Sequence, residues 1–108
     1  MAETEFTEKL KRYIDMIKEK LDLKLVILFG SYARGEVGKY SDIDLAVFVE
    51  EKPDSHYYDE TVLLYRCCRD IDTKIEPHLF YYKDLKDHEP ADFISEIIRT
   101  GNIIYGSI

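Results

Sequence analysis

Residues 25–49, LVILFGSYARGEVGKYSDIDLAVFV, constrain the fold of this chain more than any other stretch. Two apolar runs are separated by a Gly-Ser turn, a short polar segment and two aspartates one residue apart. The first run, 25–29, is too short for a helix and reads as a buried strand ending at Gly30. Gly30 has no Cβ, so its backbone can be approached closely, and Ser31 is a preferred N-cap for a short helix through Tyr32, Ala33 and Arg34. Free N–H groups at such a turn attract phosphate. Gly35 releases the turn, Gly38 permits another bend, and Ser41 opens a second strand with Ile43, Leu45, Val47 and Val49 on one face. The opposite face begins with Asp42 and Asp44.

Residues two apart on a strand project to the same side, so both carboxylates face one volume. Like charges so close repel unless a cation intervenes, and a hard divalent ion such as Mg²⁺ favours carboxylate oxygens, substrate phosphates and water. Two acids on a strand beside a phosphate-binding turn therefore point to metal-assisted phosphoryl or nucleotidyl transfer.

Together, Gly30-Ser31, Ala33-Arg34-Gly35 and Ser41-Asp42-Ile43-Asp44-Leu45 resemble the signature of the minimal nucleotidyltransferases in the DNA polymerase beta superfamily. Gly-Ser or Asp-x-Asp alone is common; the pair at this separation, between two apolar strands, is specific. The resemblance implies an α/β (α+β) fold, a small mixed sheet flanked by helices. It also implies transfer of a nucleoside monophosphate, AMP from ATP, to a hydroxyl, with two Mg²⁺ ions held by Asp42, Asp44 and a third carboxylate. Glu76 is the acid suitably placed on a neighbouring strand, although Asp is the commoner family residue; Asp72 is the reserve. Gly30 and Ser31 would hold the β- and γ-phosphates, while Arg34 either contacts phosphate or pairs with the acids. Minimal members are often paired with a small helical HEPN protein as toxin and antitoxin, and can adenylylate that partner. The alternative is a non-catalytic module that binds a nucleotide or partner and neutralises it by its surface.

The remaining sequence supports this core. Phe6, Leu10, Tyr13, Ile17 and Leu21 recur at helical spacing and predict an amphipathic helix over 4–22. Ser55 can cap a second helix with the stripe Tyr57, Thr61, Leu64, Cys68 and Ile71. Residues 70–72 read as a turn and 73–81 as a third strand, with Ile75, Pro77 and Leu79 opposed to Lys74, Glu76 and His78. Pro77 lacks an N–H, which predicts an edge or a bulge. Residues 83–88 read as a connection, and Pro90 opens a last helix carrying Phe93, Ile94, Ile97 and Ile98, closed by Gly101. Residues 102–105 read as a short strand or an extended tail. The expected order is helix, strand, short helix, strand, helix, strand, helix, in one domain over 1–108.

Fifteen basic against 22 acidic residues give a net charge of −7, which argues against a nucleic-acid footprint and for a protein or small-molecule acceptor. Arg34 and Lys39 remain as local cations for a triphosphate. Cys67 and Cys68 are adjacent and have no further cysteine to complete a zinc spacing, which suits packed thiols in the reducing cytoplasm. An acidic N-terminus and the lack of a long apolar run give no sign of a signal peptide or membrane span. Of His56, His78 and His88, only His78 shares the predicted face of Glu76. No Gly-x-x-x-x-Gly-Lys or Gly-x-Gly-x-x-Gly supports a P-loop or dinucleotide fold.

Overall fold

The computed structural model describes residues 3–38, 41–87 and 92–108. Its elements are α1 (Glu3–Lys18), β1 (Leu23–Phe29), α2 (Ser31–Arg34), β2 (Ile43–Val49), α3 (Tyr57–Arg69), β3 (Ile75–Tyr81), α4 (Asp84–Asp87), α5 (Phe93–Thr100) and β4 (Asn102–Gly106). The strands form one mixed sheet in the order β3-β2-β1-β4. Here β2 is antiparallel to β1, β4 is antiparallel to β1, and β3 runs parallel to β2 after the α3 crossover. A parallel neighbour needs a long connection, which α3 supplies.

Burial on both faces of the two central strands explains their nearly continuous apolar composition. On one side Val26, Leu28, Ile43, Leu45, Val47, Val49, Ile75 and Leu79 pack with Leu10, Tyr13 and Ile17 of α1 and with Leu64, Cys67 and Cys68 of α3. On the other, Leu25, Ile27, Phe29, Ala46 and Phe48 pack under Leu85 of α4 and Ile94 and Ile97 of α5. Tyr13 is buried within the first layer, and its hydroxyl donates to the Leu64 carbonyl at 2.9 Å, tying α1 to α3. Burial pushes this phenol far above its ordinary pKa, so it remains a neutral donor.

Of the edge and the bulge that the missing Pro77 donor allowed, the structure shows the edge, β3, and residues 102–106 form the other. Several boundaries differ from those expected. The first helix ends at Lys18, although Leu21 still packs against the core. Ser31 is the first residue of α2 rather than its cap, which is Gly30. Ser55 is not the cap of α3, because its hydroxyl accepts from Lys52 N–H at 2.7 Å in the preceding loop; His56 occupies the cap. Tyr57, expected in the buried stripe of α3, is exposed, whereas Cys67 is buried beside Cys68. Both thiols are free, and burial raises both pKa values. Residues 84–87 form a helical turn inside the stretch expected to be a connection. Asp92 caps the last helix through Ser95 N–H at 2.9 Å. Lys39, His88 and Pro90 lie outside the described residues.

Asp72 closes the turn into β3. It accepts Lys9 Nζ of α1 at 2.6 Å and Lys74 N–H at 2.9 Å. Burial alone would push its carboxyl up, but the Lys9 hydrogen bond, the Lys74 N–H and the charges of both lysines outweigh burial and hold it below the ordinary value. A group titrating lower in the folded chain stabilises fully above the ordinary carboxylate range and loses its contribution as pH falls through the folded value. Asp72→Asn is therefore expected to cost about 1–3 kcal/mol at neutral pH. Urea denaturation should show that difference shrinking in acid; a pH-independent difference would exclude the charged interaction as its source.

Candidate active site

Sheet register brings the acids together. In the parallel β2–β3 pair, Asp44 is the direct partner of Glu76 and Ala46 of His78. Partners on adjacent strands point to the same face, so Asp44 and Glu76 stand side by side, with His78 one pleat further along β3. They occupy the face of Ala46 and Phe48, at the end beside the Gly30 turn, where Phe93 of α5 also reaches the His78 ring. One ligand atom from each of Asp44, Glu76 and His78 lies within 4.8 Å of the others, the group among the described residues able to hold a metal ion. His78 Nε2 is 3.3 Å from Asp44 Oδ1.

Asp42 is exposed and precedes β2 by one residue, and it joins the group through Glu76. The Glu76 carboxyl is raised above its ordinary pKa, first by burial, then by the Asp44 charge and a hydrogen bond shared with Asp42, with His78 pulling the other way. Crowded anionic oxygens that favour protonation of one member fit a divalent cation, which would relieve the same repulsion without a proton.

The Gly30 turn abuts the acids because Phe29, the last residue of β1, pairs with Asp44. Gly30 adopts φ 74° and ψ −150°, a region suited to glycine, and a Cβ there would collide with Asp44 Oδ2. Its carbonyl then accepts from Ala33 and Arg34 N–H, both at 3.1 Å, which starts α2. Gly35, at φ 73°, ends that helix, and Glu36 N–H closes on the Ser31 carbonyl at 2.9 Å. Ser31 is half-exposed on this turn. The carboxylate that Arg34 pairs with is Glu36, at 3.2 Å, rather than a site aspartate.

A cleft of about 400 Å³ runs along the β3 edge, bounded by Tyr57, Tyr65, Glu76, His78, Phe80 and Phe93. A larger groove of about 590 Å³ between α1 and β4 is lined by Phe6, Leu10, Ile14 and Ile104 and contains none of the clustered acids. Of the two, the smaller cleft is the one bordered by Glu76 and His78. The reserve residue Asp72 is engaged with Lys9 and Lys74, whereas Glu76 stands beside Asp44. His78 was legible only as the histidine sharing the Glu76 face; its closeness to Asp44 depends on the parallel register.

The family model for polymerase beta nucleotidyltransferases matches residues 8–107. The chain belongs to this family. Relatives of this nucleotidyltransferase domain include a Methanocaldococcus jannaschii protein named "Putative protein adenylyltransferase MJ0141", 35% identical over 99 residues, 90% of this chain and 93% of the relative. Another from that organism, "Putative protein adenylyltransferase MJ1215", is 43% identical over 51 residues, covering 47% of this chain and 59% of the relative. Among solved structures, a toxin-antitoxin crystallised with AMP-PNP superposes with a TM-score of 0.57 at 20% identity, over 94% of this chain and 73% of that one. The toxin-antitoxin MntA-HepT superposes at 0.55 and 18% identity, over 92% and 71% of the respective chains. At such identities the structural likeness establishes the shared fold. Among the described residues no helix is long and apolar enough to cross a membrane.

Two glycines of positive φ bracket α2, and they differ in what an added side chain would meet. Gly30→Ala should cost roughly 1–3 kcal/mol more than Gly35→Ala, because Gly30 combines a backbone region open almost only to glycine, at φ 74° and ψ −150°, with a Cβ against Asp44, whereas Gly35 has the milder left-handed φ 73° and ψ 17° and open space around it. Urea midpoints for both variants test this; equal losses would show that neither the Gly30 backbone region nor the Asp44 contact has energetic weight.

Proposed function

We propose that this nucleotidyltransferase domain moves AMP from ATP to a hydroxyl of a partner protein, a HEPN-type toxin that it restrains in the cytoplasm, and that residues 1–108 act as one catalytic unit. The observation carrying this reading is Asp44 paired with Glu76 beside the Gly30 turn. Support for the donor and partner comes from the relatives named as adenylyltransferases and from the fold shared with toxin-antitoxin structures, one crystallised with AMP-PNP.

Asp42, Asp44 and Glu76 would hold two Mg²⁺ ions, whose presence neutralises triphosphate charge and makes the attacking hydroxyl more acidic. The chain's own groups supply the positioning. The Gly30–Ser31 turn lets the β- and γ-phosphates approach the backbone, and Arg34 can exchange its exposed Glu36 contact for phosphate. Glu76, beside Asp44 on the edge strand, is placed to take the acceptor proton as the hydroxyl attacks the α-phosphorus and pyrophosphate leaves. The acidic chain suits an acceptor with a basic surface, which would make encounter salt-sensitive.

Asp44→Asn should reduce AMP transfer on the order of 10²-fold or more without unfolding the protein. Glu76→Gln should lower both transfer and Mg²⁺ dependence, while Asp72→Asn retains transfer under conditions where it remains folded. Labelled-ATP assays measure all three, and a fully active Asp44→Asn variant would refute the mechanism. Coexpression with the neighbouring gene product and intact-mass measurement should show AMP on a tyrosine, serine or threonine of the partner, dependent on Asp42 and Asp44. A stable but unmodified complex would instead favour the non-catalytic alternative.

A further inference from the structure

The proposed transfer requires only oxygen ligands, yet the cluster contains an imidazole. His78 follows Glu76 by two residues on β3 and projects to the same face. Its register partner on β2 is Ala46, whose small side chain leaves the ring room to lean towards Asp44. Phe29 lies against the ring with centroids 5.1 Å apart at 59°, and Phe93 does so at 6.3 Å and 73°. Those contacts limit how far the imidazole can turn away.

Separation of the donor atoms is informative. Two ligands bound at about 2.1 Å stand about 3.0 Å apart along an octahedral edge and about 3.4 Å apart along a tetrahedral one. His78 Nε2 and Asp44 Oδ1 meet in a hydrogen-bond contact at 3.3 Å, a spacing that an ion could take over with little movement, and a Glu76 oxygen lies within 4.8 Å of both, so it would have to close in to complete the set. Asp44 and His78 side chains retain 23% and 30% exposure, enough for an ion to enter from solvent. Mg²⁺ gains little from imidazole, whereas first-row transition ions from Mn²⁺ towards Zn²⁺ bind mixed nitrogen and carboxylate sets more strongly.

We propose that His78 is a metal-selecting ligand which, with Asp44 and Glu76, makes one ion position prefer a divalent first-row transition ion over Mg²⁺. This rests on reading the acids as metal-binding. Asp44 then lies between two recognition elements: the Gly30 turn on one side and the nitrogen donor on the other. Replacing His78 by an oxygen donor changes which ion is retained, while the carboxylates continue to attract Mg²⁺.

Direct binding tests the assignment without relying on turnover. The intact protein, His78→Ala, His78→Gln and Asp44→Asn are checked for folding by circular dichroism. They are then titrated with Co²⁺ alone, following its visible absorption, and with Mn²⁺ alone, following the electron paramagnetic resonance of the free ion. Mg²⁺ is added as a competitor. The expected result is a Co²⁺ absorption band in the wild type and loss of Co²⁺ affinity on the order of 10-fold or more in both His78 variants. Mg²⁺ affinity should move much less, and Asp44→Asn should weaken every ion. The Gln variant retains a hydrogen-bonding side chain, so its loss of Co²⁺ separates ligation from packing. Unchanged Co²⁺ affinity and spectrum in folded His78 variants, with Mg²⁺-dependent transfer intact, would overturn the ligand assignment and leave the proposed function standing. Failure of the wild type to bind Co²⁺ or Mn²⁺ would likewise overturn the ligand assignment, and the labelled-ATP assay with Mg²⁺ would decide the proposed function separately.

Discussion

Placing Asp44 beside Glu76 on parallel strands puts two carboxyl groups on one pleat at the end of an apolar sheet. Two unit charges about 5 Å apart repel by roughly 3 kcal/mol at an effective dielectric of 20, a substantial part of a small domain's stability. The fold limits that repulsion by location. Apolar cover from α4 and α5 lies over Ala46 and Phe48, while Asp44, Glu76 and His78 keep partial access to solvent. A proton shared between Glu76 and Asp42, or a cation among the oxygens, reduces it further.

Packing elsewhere holds that arrangement in register. The central strands are buried on both faces, so a one-residue slip of β2 would turn Asp44 into the layer occupied by Leu45 and Leu64 and expose an apolar partner. The α3 crossover makes β3 parallel, and Tyr13 joins that helix to α1 through the Leu64 carbonyl. The Lys9–Asp72 contact fastens the turn immediately before β3. Asp72 therefore serves the fold at the entry to β3 and has no place in the acid cluster.

The same arrangement leaves the acids bordered on two flanks, by the Gly30 turn and by the β3 cleft. Gly30 brings a turn against Asp44 from the β1 side, where a substituent would fill the space. Glu76 and His78 border the cleft along β3, with the exposed rings of Tyr57, Tyr65 and Phe93 nearby. Because β3 is an edge strand, this side of the sheet is open to an incoming side chain. Under the proposed function, the Gly30 turn would meet phosphate on one flank of the acids while a partner reached the other.

Local sequence determined a good deal by itself. Alternation over 43–49 assigned β2 and its faces, helical spacing from Phe6 to Ile17 assigned α1, and Pro77 narrowed β3 to an edge or a bulge. Gly30-Ser31 with Asp42 and Asp44 identified the family before any contact was known. These features were legible because period, glycine conformation and motif spacing act within a few residues. Cap positions were less so: Ser31 and Ser55 are both plausible caps by residue type, but the observed bonds place them in a first helical turn and a loop. Only tertiary structure decided that Asp72 binds Lys9 and that His78 approaches Asp44. These pairings depend on strand register and helix placement across as many as 63 residues of chain, and side-chain chemistry alone allows each charged group several partners.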